Sequence, residues 1–204
     1  MPAKRPSTAG AISVGPWCLL ALLMVLLAPA RPVAGSPLQG GTPWSVTGFV
    51  GQHDDNRFVE ITTLRGGTMV PTYIAGAVVG YELGEWWRET VWELEAQAYH
   101  HHGLQSHWEY NAAVGVRWTR FPWNDVLPTT FSYAQGLSLA TEEPVIEDET
   151  RRFLHYLHAE VAVRAPTWRH LSVVGRVHHR SGVFGLFGVS GGSNFLNLGL
   201  RYRY

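Results

Sequence analysis

Cysteine occurs once in the 204 residues, at Cys18, inside the apolar run "WCLLALLMVLLA". A chain cleaved after that run carries no cysteine, so its folded part can hold neither a disulfide nor a catalytic thiol. Cys18 sits early in the run rather than after it, which argues against a lipoprotein. Lysine is absent beyond Lys4, and no acid follows Glu160. Acids and bases balance at 16 each, so charge gives no reason to expect nucleic acid as a partner. A second long apolar run is also missing, which excludes a membrane-spanning helix from the rest of the chain.

The N-terminus has the layout of a secretory signal. Lys4 and Arg5 form a basic region, the apolar core follows, and small residues around Val33 to Ser36 suit cleavage. The core falls short of the roughly 20 apolar residues of a spanning helix, although a retained anchor is the alternative. Residues 1–35 are therefore expected to be a signal peptide, directing residues 36–204 across the inner membrane as one domain.

That domain is expected to be all-β. Segments of about ten residues alternate apolar with polar side chains, the period of a strand with two unlike faces. At the C-terminus Leu196, Leu198, Leu200, Tyr202 and Tyr204 share one face, while Asn197, Gly199, Arg201 and Arg203 share the other. Between Trp108 and Trp118 the apolar face carries aromatics at both ends and small aliphatics between, as two interfacial girdles around a lipid-facing band require. On the opposite face Glu93, Glu95 and Glu109 need partners, which inward Arg117, Arg176 and Arg201 can supply. Eight strands are expected, centred near Val46, Val78, Leu94, Val114, Tyr133, Ala159, Val174 and Leu198. Short links ("LGEWWRE", "RFPWNDVLP", "RAPT") alternate with longer or more polar ones. This predicts an eight-stranded antiparallel up-and-down β-barrel in the bacterial outer membrane, with both termini periplasmic. A soluble sandwich is the alternative. Tyr204, in the lipid-facing register, resembles the terminal signature presented to the barrel assembly machinery.

The seventh strand, placed at Trp168 to Arg180, ends in "HHRS" and a glycine-rich loop. By parity Arg176, His178 and Arg180 point inward, and His179 and Ser181 point outward at the extracellular rim. Residues two apart on one strand face lie about 6.5 Å apart, close enough for an imidazole to serve a serine given local twist. Counting back from Leu196 places Asn194 on the same outer face, beside His179 across the hairpin, where an amide can orient the ring. A one-residue slip in register would move His179 and Ser181 into the lumen.

These residues resemble the outer-membrane lipid A 3-O-deacylases, eight-stranded barrels with a lipid-facing His-x-Ser motif near the C-terminus. The motif here is "HRS", His179 to Ser181. Blocks such as "HWEYNAAVGVRWTRFPWND" and "HHRSGVFGLFGVSGGSNFLNLGLRYRY" look like barrels grouped with acyloxyacyl hydrolase-like proteins. The resemblance implies hydrolysis of an ester-linked acyl chain of lipid A in lipopolysaccharide. Ser181 would be the nucleophile, His179 the base and Asn194 the orienting group, with no metal or other cofactor. Two departures stand out. The family places a glutamate where Asn194 aligns, and an asparagine where Gly182 follows the serine. The backbone N–H groups of Gly182 and Val183 are then the expected oxyanion donors.

Arg180 is a candidate to grip lipid A phosphates from the rim, with inward ion pairing as the alternative. Phe184 and Phe187 are expected to meet acyl chains or dip into the outer leaflet. "EEPVIEDE" (Glu142 to Glu149) is expected to be a solvated extracellular loop, or else a binder of lipopolysaccharide-bridging cations. His100 to His102 are expected at a wet loop tip, and His155 and His158 on opposite faces. The alternative to an esterase is a non-catalytic structural or binding barrel, supported by the missing acid. A passive pore fits poorly with so many charged inward residues.

Overall fold

A computed structural model describes residues 42–204 apart from 64, 66, 88 and 148; the expected signal peptide lies outside these residues. Eight antiparallel strands close into one barrel: β1 Trp44–Asp54, β2 Met69–Trp87, β3 Thr90–Gly103, β4 His107–Trp118, β5 Thr129–Ala140, β6 Phe153–Val163, β7 Leu171–Ser181 and β8 Gly192–Arg203. Every expected centre falls within its strand. The closing seam pairs β1 with β8 from Ser45↔Arg203 to Asp54↔Asn194, so no sheet edge is left open. A short helix, α1 (Phe58–Thr62), lies in the β1–β2 connection.

Two boundaries differ from expectation. "LGEWWRE" is strand rather than link, because β2 runs on to Trp87 through two register shifts and β3 begins at Thr90. Gly84, with φ 141°, accommodates one of those irregularities. The seventh strand also starts later, at Leu171.

Alternation sorts the side chains as a filled membrane barrel requires. Outward Val50, Leu94, Leu137, Val161, Leu198 and Leu200 are exposed and apolar. Trp44 packs against Tyr81, and Tyr202 against Tyr204, at the end bearing the termini; Trp108 stacks near Tyr110 at the other. An apolar band bounded by aromatics around a polar interior is a lipid-facing surface.

The lumen is packed with paired charge. Glu160 accepts hydrogen bonds from Arg117, Arg176 and Arg201 at 2.6–2.9 Å. Arg117 also donates to Glu93, and Arg176 to Glu95. Arg203 pairs with Glu82. Nearer the loop end, Glu109 bridges His101 and His178 and accepts from Ser138. Phe49, Tyr99 and Phe195 fill the space between, with the Arg176 guanidinium 4.7 Å from the centre of the Phe49 ring. Buried ions persist only when paired and hydrogen-bonded, and here the partners come both from the adjacent strand, as Arg176 and Glu160, and from across the lumen, as Arg176 and Glu95.

Candidate functional site

β7 delivers the opening motif in the expected parity. Arg176, His178 and Arg180 are buried in the lumen, whereas His179 and Ser181 are half-buried on the outer face. In the β7–β8 ladder His179 lies directly opposite Asn194, and Ser181 opposite Gly192. The side chains meet as the ladder allows: His179 Nδ1 and Asn194 Oδ1 are 2.7 Å apart. An amide oxygen can only accept, so the proton of this bond sits on Nδ1 and the Nε2 lone pair is left available.

The β1–β2 connection covers this pair. The Phe58 ring lies 5.2 Å from that of His179, and Asn194 Nδ2 donates to the Asn56 carbonyl at 2.7 Å. That cover makes Asn194 only 8% exposed although it belongs to the outer face. Among the described residues Ser181 Oγ carries no hydrogen bond, so the serine and imidazole share a face without being joined in this state. Catalytic hydrogen bonds in unliganded sites are often long and tighten only around substrate.

The ladder adds a residue that sequence reading left aside. His155 lies directly opposite Ser181 in the β6–β7 pairing, on the same outer face. Side chains at opposed positions have Cβ atoms about 4.5–5.5 Å apart, so Ser181 is flanked by two imidazoles, His179 along its strand and His155 across. The parity that separates His155 from His158 signals that His155 faces outward, but not which residue it meets.

Several expectations need correction. Arg180 does not present its guanidinium to the lipid surface. It is fully buried, donating to Glu147 and to the carbonyls of Arg151 and Arg152, so its guanidinium has no free face for a phosphate. Gly182 N–H is not a free oxyanion donor, because it donates to the Gly191 carbonyl at 3.0 Å. A Cβ at Gly182 would fall 1.8 Å from the Val189 carbonyl oxygen, so glycine is required there by close backbone approach. Val183 makes no such bond among the described residues, and both Val183 (φ 48°) and Phe184 (φ 53°) adopt the left-handed conformation that non-glycine residues avoid. Phe184 is 87% exposed at the loop tip, while Phe187 is half-buried with its ring 5.8 Å from Phe153.

The acidic loop is solvated only in part: Glu142, Glu143 and Glu149 are exposed as expected, but Glu147 is not. Its Glu147 turns into the barrel mouth, where Arg180, Ser193 and Thr150 donate to the carboxylate; Pro144 is buried and Ile146 packs on the core. Burial pushes the Glu147 carboxyl above its ordinary value of 4.5, with Arg180 opposing. Glu149 accepts from the Ser190 N–H, tying this loop to the β7–β8 hairpin. Nor is His101 at a wet tip, since it lies in β3 with its ring buried against Glu109.

Glu95, His158 and Glu160 have ligand atoms within 4.8 Å of one another. Both Glu160 oxygens and Glu95 Oε1 already accept from guanidiniums, Glu95 Oε2 accepts from the Gln97 amide, and a dication there would sit among three arginines, so the donor set suits ion pairing better than metal. A cavity of about 300 Å³ lined by Arg164, Arg201 and Arg203 opens at the end bearing the termini, the barrel's length from Ser181.

No family model matches the chain, and no curated protein matches it. Among solved structures it is similar to the outer membrane enzyme PagL, at 11% identity over 78% of this chain and 99% of that one, with a TM-score of 0.55. Neisserial surface protein A (9% identity, 80% and 98% covered, TM-score 0.49) and the N-terminal β-barrel domain of Pseudomonas aeruginosa OprF (11%, 80% and 98%, 0.47) also match. At such identities the likeness establishes the fold, and the eight-stranded closed barrel is of the outer-membrane type.

Proposed function

We propose that this protein is an esterase of the bacterial outer membrane that removes an ester-linked acyl chain from lipid A. The observation that carries the reading is the 2.7 Å contact between His179 Nδ1 and Asn194 Oδ1 on the outward face, two residues from an outward serine. Polar side chains facing lipid cost free energy, and this cluster contributes nothing to the lumen network, so a role in chemistry explains it better than one in folding.

In the proposed reaction His179 Nε2 accepts the Ser181 proton as Oγ bonds to the ester carbonyl carbon. The tetrahedral oxyanion meets the N–H of Val183. Collapse breaks the bond to the sugar oxygen, which takes the proton back from Nε2 and leaves as the hydroxyl, with the acyl group on Ser181. Water, deprotonated by the same nitrogen, then releases the fatty acid and restores the serine. Exposed Phe184 and Leu186, in the loop that follows the serine, suit acyl contacts. A lipid substrate reaches such a site by lateral diffusion within the leaflet.

A non-catalytic binding or structural barrel is the second reading. It is favoured by an amide where an acid would stabilise the imidazolium, and by the Gly182 N–H already being engaged. Mass spectrometry of lipid A from cells making the wild type or Ser181→Ala decides between them. Loss of one acyl mass with the wild type alone is expected. Identical spectra, with both barrels folded in the membrane, would leave the binding reading.

A further inference from the structure

The β1–β8 seam brings an acid to the site from the far end of the chain. Asp54 is the last residue of β1, on the outer face, and its register partner is Asn194. Its carboxylate makes no described hydrogen bond to Asn194. Oδ1 instead accepts from Asn56 N–H at 2.9 Å, Asn56 Nδ2 at 2.8 Å and Thr68 N–H at 3.3 Å. Asp55 N–H donates to the Thr68 carbonyl, so both ends of the connection carrying α1 close on this one aspartate. Asp54 is 1% exposed. Gly67 lies against its other oxygen, and a Cβ there would come within 2.8 Å of Oδ2.

The consequence runs through Asn56. Pinned by Asp54, Asn56 turns its carbonyl to the Asn194 amide, which donates Nδ2–H to it. That bond fixes which way the amide faces. Flipped, Asn194 would set its oxygen against the Asn56 carbonyl and its NH₂ against His179 Nδ1, two acceptors meeting at one end and the opposite imidazole tautomer demanded at the other. With Nδ2 committed to the loop, Oδ1 is left for His179 Nδ1–H.

We propose that Asp54 is the positioning residue of this site: through Asn56 it locks the Asn194 amide, and so holds His179 in the Nδ1–H tautomer with Nε2 bare. A loop carbonyl thereby does part of what a carboxylate opposite the histidine would do, setting the tautomer without neutralising the imidazolium. The inference rests on the esterase reading only for its effect on rate; the tautomer is a property of the resting protein.

The test is long-range ¹⁵N–¹H NMR of histidine-labelled barrel in detergent micelles, with His179 assigned by the signal missing in His179→Gln. Turnover of a short-chain nitrophenyl ester is measured alongside. Wild type is expected to show His179 protonated at Nδ1. Asp54→Ala, its folding checked by heat-dependent gel mobility, should bring the Nε2–H form to at least equal population. It should also lower kcat about ten-fold with KM changed less than about two-fold. Asp54→Asn, which keeps an acceptor oxygen for Asn56, should recover the Nδ1–H form. Gly67→Ala displaces the carboxylate without removing it, should shift the tautomer as Asp54→Ala does, and decides the matter if Asp54→Ala does not fold. An unchanged tautomer in folded Asp54→Ala or Gly67→Ala overturns the inference, as does Asp54→Asn behaving like Asp54→Ala. A tautomer that responds in a protein with no ester hydrolysis leaves the positioning role standing and removes the esterase. Hydrolysis by Ser181 with an unresponsive tautomer does the reverse.

Discussion

Polar groups inside the barrel and polar groups on its outer rim obey different rules. In the lumen each of Arg117, Arg176 and Arg201 reaches a carboxylate, and Glu160 alone takes five donor contacts from the three of them. On the rim His179 has one side-chain partner, Ser181 has none among the described residues, and His155 stands beside the serine without a described hydrogen bond. A network of paired charges stabilises the fold and commits its ions to one another, even though single atoms such as the Tyr99 hydroxyl and Arg176 Nη1 have no partner. The rim cluster, with acceptor and hydroxyl capacity unspent, has the opposite character. Burial alone does not separate the two, since Asn194 is nearly as hidden as the lumen glutamates. Pairing of opposite charges does, since these ion pairs join lumen residues and none is described for His179, Ser181 or His155.

Breaking the lumen side should cost the most in stability. Glu160→Gln leaves three guanidiniums around a neutral amide, and a loss of about 3–5 kcal/mol is expected in urea unfolding from lipid vesicles. Ser181→Ala in the same assay should stay within about 0.5 kcal/mol. A Glu160→Gln barrel as stable as wild type would dissolve the distinction between the regions.

On the rim the two imidazoles can be ranked. His179→Gln removes the proposed base and should lower ester turnover by about 10²–10⁴-fold without unfolding the barrel. His155→Gln, which has no orienting partner among the described residues, should lower it less than about ten-fold. The reverse order would make His155, opposite the serine, the base, and would demote the His179–Asn194 contact to packing.

The smallest effect concerns Glu147, in the β5–β6 connection. Because the native carboxyl of Glu147 sits above 4.5, the folded chain holds that proton more tightly than the unfolded chain does. Its contribution is therefore fully present below 4.5 and is lost as pH rises through the raised native value. Melting temperature in detergent should fall over that window, and Glu147→Gln should flatten this part of the profile. A slope unchanged in Glu147→Gln would assign it to another group.

Much of the barrel was legible because a strand's period of two writes its two faces directly into the sequence. "NFLNLGLRYRY" and "HWEYNAAVGVRW" announce an outer and an inner face, and the parity counted through β7 puts His179, Ser181 and Asn194 where the ladder has them. "LGEWWRE" was misplaced because register shifts in β2 interrupt that period. "EEPVIEDE" is exposed at Glu142, Glu143 and Glu149 as its charge density suggests, but that density could not say that Arg180 and Ser193 wait to receive Glu147. Arg180 was ambiguous for the same reason: its parity was readable, its partner was not.

The sequence by itself thus determined strand number, facing and the identity of the outward histidine and serine, since each follows from local alternation. Only the tertiary structure decided who stands beside them. Strand closure placed Asp54 against Asn194 across 140 residues of chain, the β6–β7 ladder set His155 opposite Ser181, and hairpin closure spent the Gly182 N–H on Gly191. Those neighbours are fixed by inter-strand register, which depends on how the whole sheet closes and leaves no periodic trace within any one strand.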